Sequence, residues 1–241
     1  MFPASEREAA RRPSGTLDPM SDPSSIPHPG GSAYVVAPPS GEGPGVMVLH
    51  GWWGLNPFVR RWCDRLADEG FVVIAPDLFD GRTADAPDEA EILLASMDVD
   101  AAVGLILSTS STLRELPITE DRPIGVVGWS MGASLALWLA TRAPEQVAAA
   151  AVYYGVQDVD FEPATCAVLG HFAEHDELVD EDSVVEMEAH LRLLDKDVEF
   201  HRYAGTGHWF AEDDRPAAYD PAAAKLAWDR TVAFLGQHLR S

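Results

Sequence analysis

The chain has 241 residues, 46% of them hydrophobic, and carries 39 acidic against 17 basic side chains, for a formal net charge of -22. A chain of this length can bury the core of one α/β domain, and its acidic balance argues against partners such as nucleic acid or an anionic membrane surface. It contains no apolar run of roughly 18 residues, so we predict no membrane span and expect a cytoplasmic protein.

The first 30 residues are predicted to be a disordered tail. They hold six of the 18 prolines, interspersed with Ser, Asp and Gly, and they lack the apolar centre of a secretory signal. A segment of this composition cannot bury enough apolar surface to offset the entropy lost on ordering. Residues 31–241 are therefore assigned to a single domain.

From residue 31 onward, short apolar runs alternate with helical patterns. The predicted strands are residues 33–37, 46–50, 71–75, 124–128, 147–153, 166–172 and 198–203. The predicted helices are the segment from the N-cap Asn56 to the stop at Gly70, and residues 88–112, 131–142, 182–194 and 221–239. This alternation predicts an α/β fold with a mostly parallel central sheet and helices on both faces, a three-layer sandwich.

The two cysteines fall in different predicted elements, Cys63 in a helix and Cys166 in a strand. We expect two buried thiols rather than a disulfide. Two cysteines without a histidine partner nearby do not make a zinc site, so we predict no metal and no other cofactor.

The sharpest motif is the run Gly-Trp-Ser-Met-Gly at residues 128–132, which follows a predicted strand and opens an Ala- and Leu-rich helix. A serine nucleophile needs a tight turn between strand and helix, and the flanking glycines leave room for that turn. The helix that follows directs backbone N–H groups toward a developing oxyanion. Ser130 is therefore the predicted nucleophile.

A serine nucleophile needs a base, and the base needs an orienting carboxylate. On a strand–turn–helix scaffold of this kind, the chain order is serine, then acid, then histidine. Asp176 follows the predicted strand 166–172, and His208 lies on a glycine-containing loop after the predicted strand 198–203. We therefore predict a triad of Ser130, Asp176 and His208.

Other residues compete for these roles. The alternative acids all lie after a predicted strand: Asp158, Glu174 and Asp180. His171 and His175 come too early in the chain to be the base, and His50, at the end of its strand, is interpreted as structural.

The predicted oxyanion hole consists of the backbone N–H groups of Met131, which follows the nucleophile, and of Trp52, which lies in the loop after strand 46–50. Four aromatic side chains flank the predicted catalytic positions and are expected to line the substrate pocket: Trp53, Trp129, Trp209 and Phe210. A pocket of this kind suits an uncharged small ester with an apolar or aromatic acyl group.

Together these residues resemble the dienelactone hydrolase family of the α/β-hydrolase superfamily. Residues 44–50 and 54–60 are similar to the first βα unit of that family, residues 75–78 and 152–155 match further signatures, and residues 207–208 match its histidine loop. The resemblance covers residues 31–239. It implies the α/β-hydrolase fold, an ester or lactone as the small-molecule substrate, no metal, and a monomer or weak homodimer.

The chain departs from the dienelactone-cleaving members of that family. It has Ser130 where they have a cysteine nucleophile, Gly51 where they have a glutamate, and Glu212 where they have an arginine that holds the substrate carboxylate. The predicted helix 88–112 contains no basic residue. We therefore expect a serine hydrolase that cleaves carboxylic esters through an acyl-enzyme. The alternatives are a lactone hydrolase of the carboxymethylenebutenolidase type and a non-catalytic binding protein that keeps the fold.

Overall fold

The computed structural model describes residues 25–28, 31–119 and 121–240. The strands of these segments are β1 (Ser25–His28), β2 (Gly31–Val36), β3 (Gly45–Leu49), β4 (Val72–Pro76), β5 (Ile124–Trp129), β6 (Val147–Tyr153), β7 (Ala167–His175) and β8 (Val198–Gly207). They form one eight-stranded sheet in the order β1-β2-β4-β3-β5-β6-β7-β8. The pairs β1–β2 and β2–β4 are antiparallel, and all other neighbours are parallel.

Helices cover both faces of this sheet. They are α1 (Pro57–Asp68), α2 (Pro87–Ala95), α3 (Val99–Glu115), α4 (Met131–Arg142), α5 (Glu181–Leu193) and α6 (Pro221–Leu239). Helices α1 and α6 contribute to an apolar layer on one face, and α3, α4 and α5 contribute to a layer on the other. The predicted three-layer α/β architecture is confirmed.

The central strands show why the sequence folds in this way. In β3, Val46 and Val48 contribute to one apolar layer, while Met47 and Leu49 contribute to the other. Successive side chains of a strand point to opposite faces, so a strand with helices on both sides must be apolar throughout. All five residues of β3 are accordingly buried.

The prediction of one continuous helix over residues 88–112 is wrong. The structure has two helices in this region, α2 and α3, and their axes are bent by 88° relative to each other. The side chain of Asp98 accepts a hydrogen bond from the backbone N–H of Ala101 at 3.0 Å. This cap satisfies one of the free amides of a new helix and favours a start at Val99. No single described helix has both the length and the apolarity to span a membrane; α2 and α3 meet those criteria only as a bent pair.

A strand also lies within the segment that was predicted to be a tail. Strand β1 pairs antiparallel with β2, and Ser25 lies opposite Tyr34 in the register. The sheet therefore begins before the predicted domain boundary at residue 31. The prediction for residues 1–24, 29 and 30 lies outside the described residues.

Both cysteines are buried free thiols, as predicted. Cys63 belongs to the apolar layer that includes α1 and α6, and Cys166 belongs to the opposite layer. Burial raises the pKa of Cys166 to about 11 and raises that of Cys63 still further. Both thiols are therefore protonated and unreactive near neutral pH.

Candidate active site

Ser130 lies on the sharp turn between β5 and α4, with φ 51° and ψ -115°. A non-glycine residue in this conformation is strained, and such strain is found mainly at functional sites. The turn depends on the flanking glycines. A Cβ atom on Gly128 would lie 2.2 Å from the carbonyl oxygen of Gly132, and a Cβ atom on Gly132 would lie 2.1 Å from that of Leu49.

Two neighbouring strands bring the other two predicted triad residues to this turn. Asp176 directly follows β7 and His208 directly follows β8, and these two strands pair in parallel. Nε2 of His208 lies 3.1 Å from Oγ of Ser130, and its Nδ1 lies 2.9 Å and 2.8 Å from the two carboxylate oxygens of Asp176. The side chains of His208 and Asp176 are only 3% and 6% exposed, so water competes little for these hydrogen bonds.

The carboxylate of Asp176 is held by more than the histidine. Its Oδ1 also accepts hydrogen bonds from the backbone N–H groups of Leu178 and Val179, both at 2.9 Å. Burial acts to raise the pKa of Asp176, but the hydrogen bonds from His208 and these two amides outweigh it, and the pKa lies below its usual value. An ionised Asp176 keeps the proton of His208 on Nδ1, which leaves Nε2 free to accept a proton from Ser130.

The alternative acids have other partners or lie in another part of the structure. Glu174 accepts a hydrogen bond from the backbone N–H of Gly205 at 2.7 Å, and Asp180 caps α5 by accepting one from Ser183 at 2.9 Å. Asp158 lines a separate cavity of about 370 Å³ next to α5. Of the four acids considered from the sequence, Asp176 is the one that the structure brings to His208.

The loop after β3 passes next to the turn that carries Ser130. A Cβ atom on Gly51 would lie 3.3 Å from the carbonyl oxygen of Trp129 and 4.0 Å from Cβ of Ser130. Met131 is the first residue of α4, so its N–H has no acceptor within the helix. The two amides predicted as oxyanion donors, those of Met131 and Trp52, therefore belong to segments that flank Ser130.

His50 gives this loop a defined orientation. Its Nδ1 lies 2.7 Å from the carbonyl oxygen of Gly51, and its Nε2 accepts a hydrogen bond from the backbone N–H of Leu78 at 3.1 Å. Burial lowers the pKa of His50, so the ring is neutral with its proton on Nδ1. Because a trans peptide is planar, holding the Gly51 carbonyl turns the N–H of Trp52 in the opposite direction.

Three tryptophans form a contiguous cluster beside His208. The ring centroids are 5.1 Å apart for Trp52 and Trp53, 6.0 Å apart for Trp52 and Trp209, and 5.6 Å apart for Trp53 and Trp209. Trp209 also packs edge-on against His208 at 4.9 Å. Trp53 is buried, whereas Trp52 and Trp209 are half-buried, as is the neighbouring Met131. These half-buried side chains offer an apolar wall close to the nucleophile.

Two residues predicted to line the pocket lie in the core instead. Trp129 is 1% exposed and packs edge-on against Trp62 of α1 at 4.8 Å. It immediately precedes Ser130, and side chains alternate along β5, so it points into the layer that contains α1. Phe210 is fully buried and packs against Tyr154 and Tyr203. The prediction that these two rings line an open pocket is therefore not supported by their placement.

A cavity of about 550 Å³ opens beside His208 and Trp209. A cavity of this size fits a small organic ligand. Its lining includes two acidic side chains, Glu177 and Asp220, and neither lysine nor arginine. It therefore offers an anionic ligand no positively charged partner of that kind.

Two arginines, Arg82 in the loop after β4 and Arg215 in the segment after His208, are engaged with protein groups. Arg82 donates to the carbonyl oxygen of Phe79 and to the hydroxyl of Ser96. The guanidinium of Arg215 lies 3.7 Å from the ring centroid of Trp53 and donates to two backbone carbonyls. Within the described residues, no group of three or more His, Cys, Asp or Glu side chains could hold a metal ion.

A second buried acid, Glu212, is linked to His208 through Tyr154 and was not predicted from the sequence. The hydroxyl of Tyr154 donates to Oε1 of Glu212 at 2.7 Å, and the ring of Tyr154 lies 4.7 Å from that of His208. Burial raises the pKa of Glu212 to about 8, and this shift outweighs the opposing hydrogen bond from Tyr154. Both residues were visible in the sequence, Tyr154 within a family signature and Glu212 as a departure from the family pattern, but neither signal indicated that they would meet.

A model of the dienelactone hydrolase family matches residues 32–239 of the chain. This chain belongs to the dienelactone hydrolase family. Protein usf of Aquifex pyrophilus is 34% identical over 213 residues, which cover 85% of this chain and 92% of that protein. Carboxymethylenebutenolidase 1 of Cupriavidus pinatubonensis is 30% identical over 216 residues, which cover 84% of this chain and 90% of that protein.

The fold of this dienelactone hydrolase family member is also that of solved structures. A dienelactone hydrolase-like promiscuous phosphotriesterase from metagenomic libraries superposes with a TM-score of 0.80 at 18% identity, over 89% of this chain and 97% of that one. The predicted family and the α/β-hydrolase fold are thus confirmed. Together, the family and its relatives identify the chain as a hydrolase that acts on ester bonds.

Proposed function

We propose that this dienelactone hydrolase family member cleaves small, uncharged carboxylic esters through an acyl-enzyme on Ser130. One observation carries the proposal: His208 joins the other two residues, with Nε2 at 3.1 Å from Oγ of Ser130 and Nδ1 at 2.8 Å from Oδ2 of Asp176. A nucleophile hydrogen-bonded to a base, which is in turn oriented by a carboxylate, is the arrangement that activates a serine hydroxyl.

In the first half-reaction, Oγ of Ser130 attacks the ester carbonyl carbon while Nε2 of His208 takes the hydroxyl proton. The negative charge that forms on the carbonyl oxygen is stabilised by the N–H groups of Met131 and Trp52. The tetrahedral intermediate then collapses, the carbon–oxygen bond to the alcohol breaks, and His208 returns its proton to the departing alcohol. The carboxylate of Asp176 stabilises the imidazolium during these steps.

In the second half-reaction, water replaces the alcohol. His208 takes a proton from the water as its oxygen attacks the acyl carbon, and the same N–H groups stabilise the second oxyanion. Collapse of this intermediate breaks the bond to Oγ of Ser130, which recovers its proton from His208. The carboxylic acid leaves, and the enzyme returns to its starting state.

The preference for an uncharged substrate is supported by the surroundings of His208. The half-buried rings of Trp52 and Trp209 offer apolar contact, and the neighbouring cavity is lined by Glu177 and Asp220. A carboxylate buried here without a cation would lose hydration that nothing replaces.

Lactone hydrolysis is the second candidate. A lactone is a cyclic ester, so the same residues would open it by the same steps, with the alcohol remaining attached to the acyl group. The observation that favours this candidate is the name of the relative from Cupriavidus pinatubonensis, a carboxymethylenebutenolidase.

The test is Ser130→Ala, assayed with p-nitrophenyl butyrate against the wild-type enzyme. We expect wild-type enzyme to show a burst of p-nitrophenol followed by steady turnover. We expect kcat of the variant to fall by about five to six orders of magnitude, because a triad without its nucleophile retains little more than binding and the oxyanion donors. Circular dichroism and the melting temperature control for folding. A folded variant with a tenth of wild-type activity would exclude Ser130 as the nucleophile.

A further inference from the structure

The proposed reaction uses neither Tyr154 nor Glu212, although both are buried close to the base. Tyr154 is fully buried and Glu212 is 3% exposed. The hydroxyl of Tyr154 donates to Oε1 of Glu212 at 2.7 Å. Burying a carboxyl group costs free energy because the group loses its hydration. Glu212 is buried only four residues after the base His208, so we consider what it contributes to the site.

The chain around Tyr154 contacts the nucleophile. The backbone N–H of Ser130 donates to the carbonyl oxygen of Tyr153 at 2.9 Å. A Cβ atom on Gly155 would lie 2.5 Å from the carbonyl oxygen of Ser130, so only glycine fits there. Tyr154 itself has φ 37°, a conformation that a bulky residue keeps only when its surroundings fix it. The backbone of residues 153–155 therefore fixes the main chain of the nucleophile.

The side chain of Tyr154 contacts the base. Its ring centroid lies 4.7 Å from that of His208, and the ring of Trp209 lies 4.9 Å from the same imidazole. Glu212 is on the turn that follows His208, where its N–H donates to the carbonyl oxygen of Trp209 at 2.9 Å. The segment at the end of β6 contacts the backbone of Ser130. The hydrogen bond between Tyr154 and Glu212 therefore connects this segment to the turn that carries His208.

We propose that Tyr154 and Glu212 are positioning residues for His208. Their hydrogen bond fixes the tyrosine ring against the imidazole and thereby sets the distance from the imidazole to Ser130. This inference rests on the function proposed above, in which His208 is the base. A shift of an ångström in a reacting group is enough to lower a rate by about a hundredfold. A buried hydrogen bond that connects the segments of nucleophile and base acts directly on that distance.

The test compares variants that remove the bond with variants that keep it. Tyr154→Phe keeps the ring and removes only the hydroxyl, and Glu212→Leu removes the acceptor. Glu212→Gln keeps an acceptor oxygen and is uncharged. The matched control is Tyr34→Phe, because Tyr34 also donates its hydroxyl to a carboxylate, that of Asp64 at 2.6 Å, far from the site.

For Tyr154→Phe and Glu212→Leu we expect kcat with p-nitrophenyl butyrate to fall about tenfold or more, with KM changed by no more than about twofold. Labelling of Ser130 by a fluorophosphonate should slow by a similar factor, since it needs the base but no turnover. Glu212→Gln should recover kcat to within about threefold of wild type. Tyr34→Phe should leave kcat and the labelling rate unchanged, even if its melting temperature falls.

The inference is overturned if Tyr154→Phe and Glu212→Leu lower the melting temperature but leave kcat and labelling at wild-type values, because the pair would then only stabilise the fold. It is also overturned if Glu212→Gln is as slow as Glu212→Leu. If Tyr154→Phe does not fold, the two Glu212 variants make the same comparison from the other end of the bond. Wild-type enzyme that neither hydrolyses esters nor is labelled would instead refute the proposed function.

Discussion

Two acidic turns meet at His208, and their carboxyl groups behave in opposite ways. The turn after β7 supplies Asp176, whose side chain is 6% exposed, and the turn after His208 supplies Glu212, which is 3% exposed. Burial acts to raise the pKa of both groups. The pKa of Asp176 nevertheless lies below its usual value, whereas that of Glu212 is raised to about 8.

The difference lies in the hydrogen-bond donors around each group. Asp176 accepts from the ring of His208 and from two backbone amides, which favours the charged form. Glu212 accepts from a single tyrosine hydroxyl, and the nearby Asp214 disfavours its ionisation further. At neutral pH, His208 therefore has a charged carboxylate as its partner, and the tyrosine that packs against its ring is bonded to an uncharged carboxyl group. Proximity to a base alone does not identify its acid partner.

Removing the charged neighbour should have the largest effect. We expect Asp176→Asn to lower kcat by about three to four orders of magnitude, because an amide favours the wrong imidazole tautomer and cannot stabilise the imidazolium. Steady-state hydrolysis of p-nitrophenyl butyrate measures this loss. The control is Asp158→Asn, which should leave kcat within about twofold of wild type, since Asp158 lines a separate cavity. The reverse pattern would assign the acid to Asp158.

The three triad residues could be predicted because each has a local signal in the sequence. Ser130 is marked by glycines at positions 128 and 132, where any Cβ atom would clash with a backbone carbonyl. Asp176 and His208 each follow a predicted strand, and parallel strands bring such positions to one edge of the sheet. Chain order and strand ends were therefore sufficient for these three residues.

The pairing of Tyr154 with Glu212 could not be predicted in this way. Tyr154 and Glu212 are 58 positions apart, and nothing in the local sequence indicates that the end of β6 meets the turn after His208. Trp129 flanks the nucleophile, a position that predicts a pocket residue, but the alternation of side chains along β5 turns its ring into the core. The break between α2 and α3 depends on a single cap, Asp98.

The opposite pKa shifts of Asp176 and Glu212 should also appear in the pH dependence of stability. Below about pH 4.5, Glu212 is protonated in the folded and unfolded chains alike. Between about pH 4.5 and 8, the unfolded chain releases this proton while the folded chain keeps it, so the free energy of unfolding falls as pH rises. In the wild-type enzyme, Glu212 should lower the free energy of unfolding by on the order of a few kcal/mol across this interval. We expect this decrease to be absent in Glu212→Gln.

Urea denaturation at pH 5 and pH 9 measures this change in wild type and Glu212→Gln. Asp176→Asn provides the contrast: because the folded-state pKa of Asp176 is lowered, its contribution is present above the unfolded pKa and is lost as pH falls through the folded one. Its substitution should lower the free energy of unfolding by the same amount at pH 5 and pH 9, and should change the pH dependence of stability only below about pH 4. If Glu212→Gln and wild type lose stability in parallel between pH 5 and 9, the carboxyl of Glu212 is ionised throughout and the contrast between the two turns fails.

The smallest expected effect concerns the charge of the substrate. Glu212 stands where dienelactone-cleaving relatives are expected to have an arginine, Arg82 and Arg215 are engaged with protein groups, and the cavity beside His208 is lined by Glu177 and Asp220. A carboxylate on the substrate would therefore lose hydration without gaining a cation. We expect kcat/KM for p-nitrophenyl butyrate to exceed that for a carboxylate-bearing dienelactone by at least tenfold, about 1.4 kcal/mol in transition-state stabilisation.

Arg82→Ala controls this measurement, because it removes the cation that a bound carboxylate could most easily recruit from the loop after β4. We expect the ratio of the two kcat/KM values to be unchanged in that variant. A tenfold preference of the wild-type enzyme for the anionic lactone would contradict the prediction. If Arg82→Ala then abolished that preference, the guanidinium would have to leave Phe79 and Ser96 to bind the substrate. In that case, substrate binding would bring a positive charge to the site that the free enzyme does not have there.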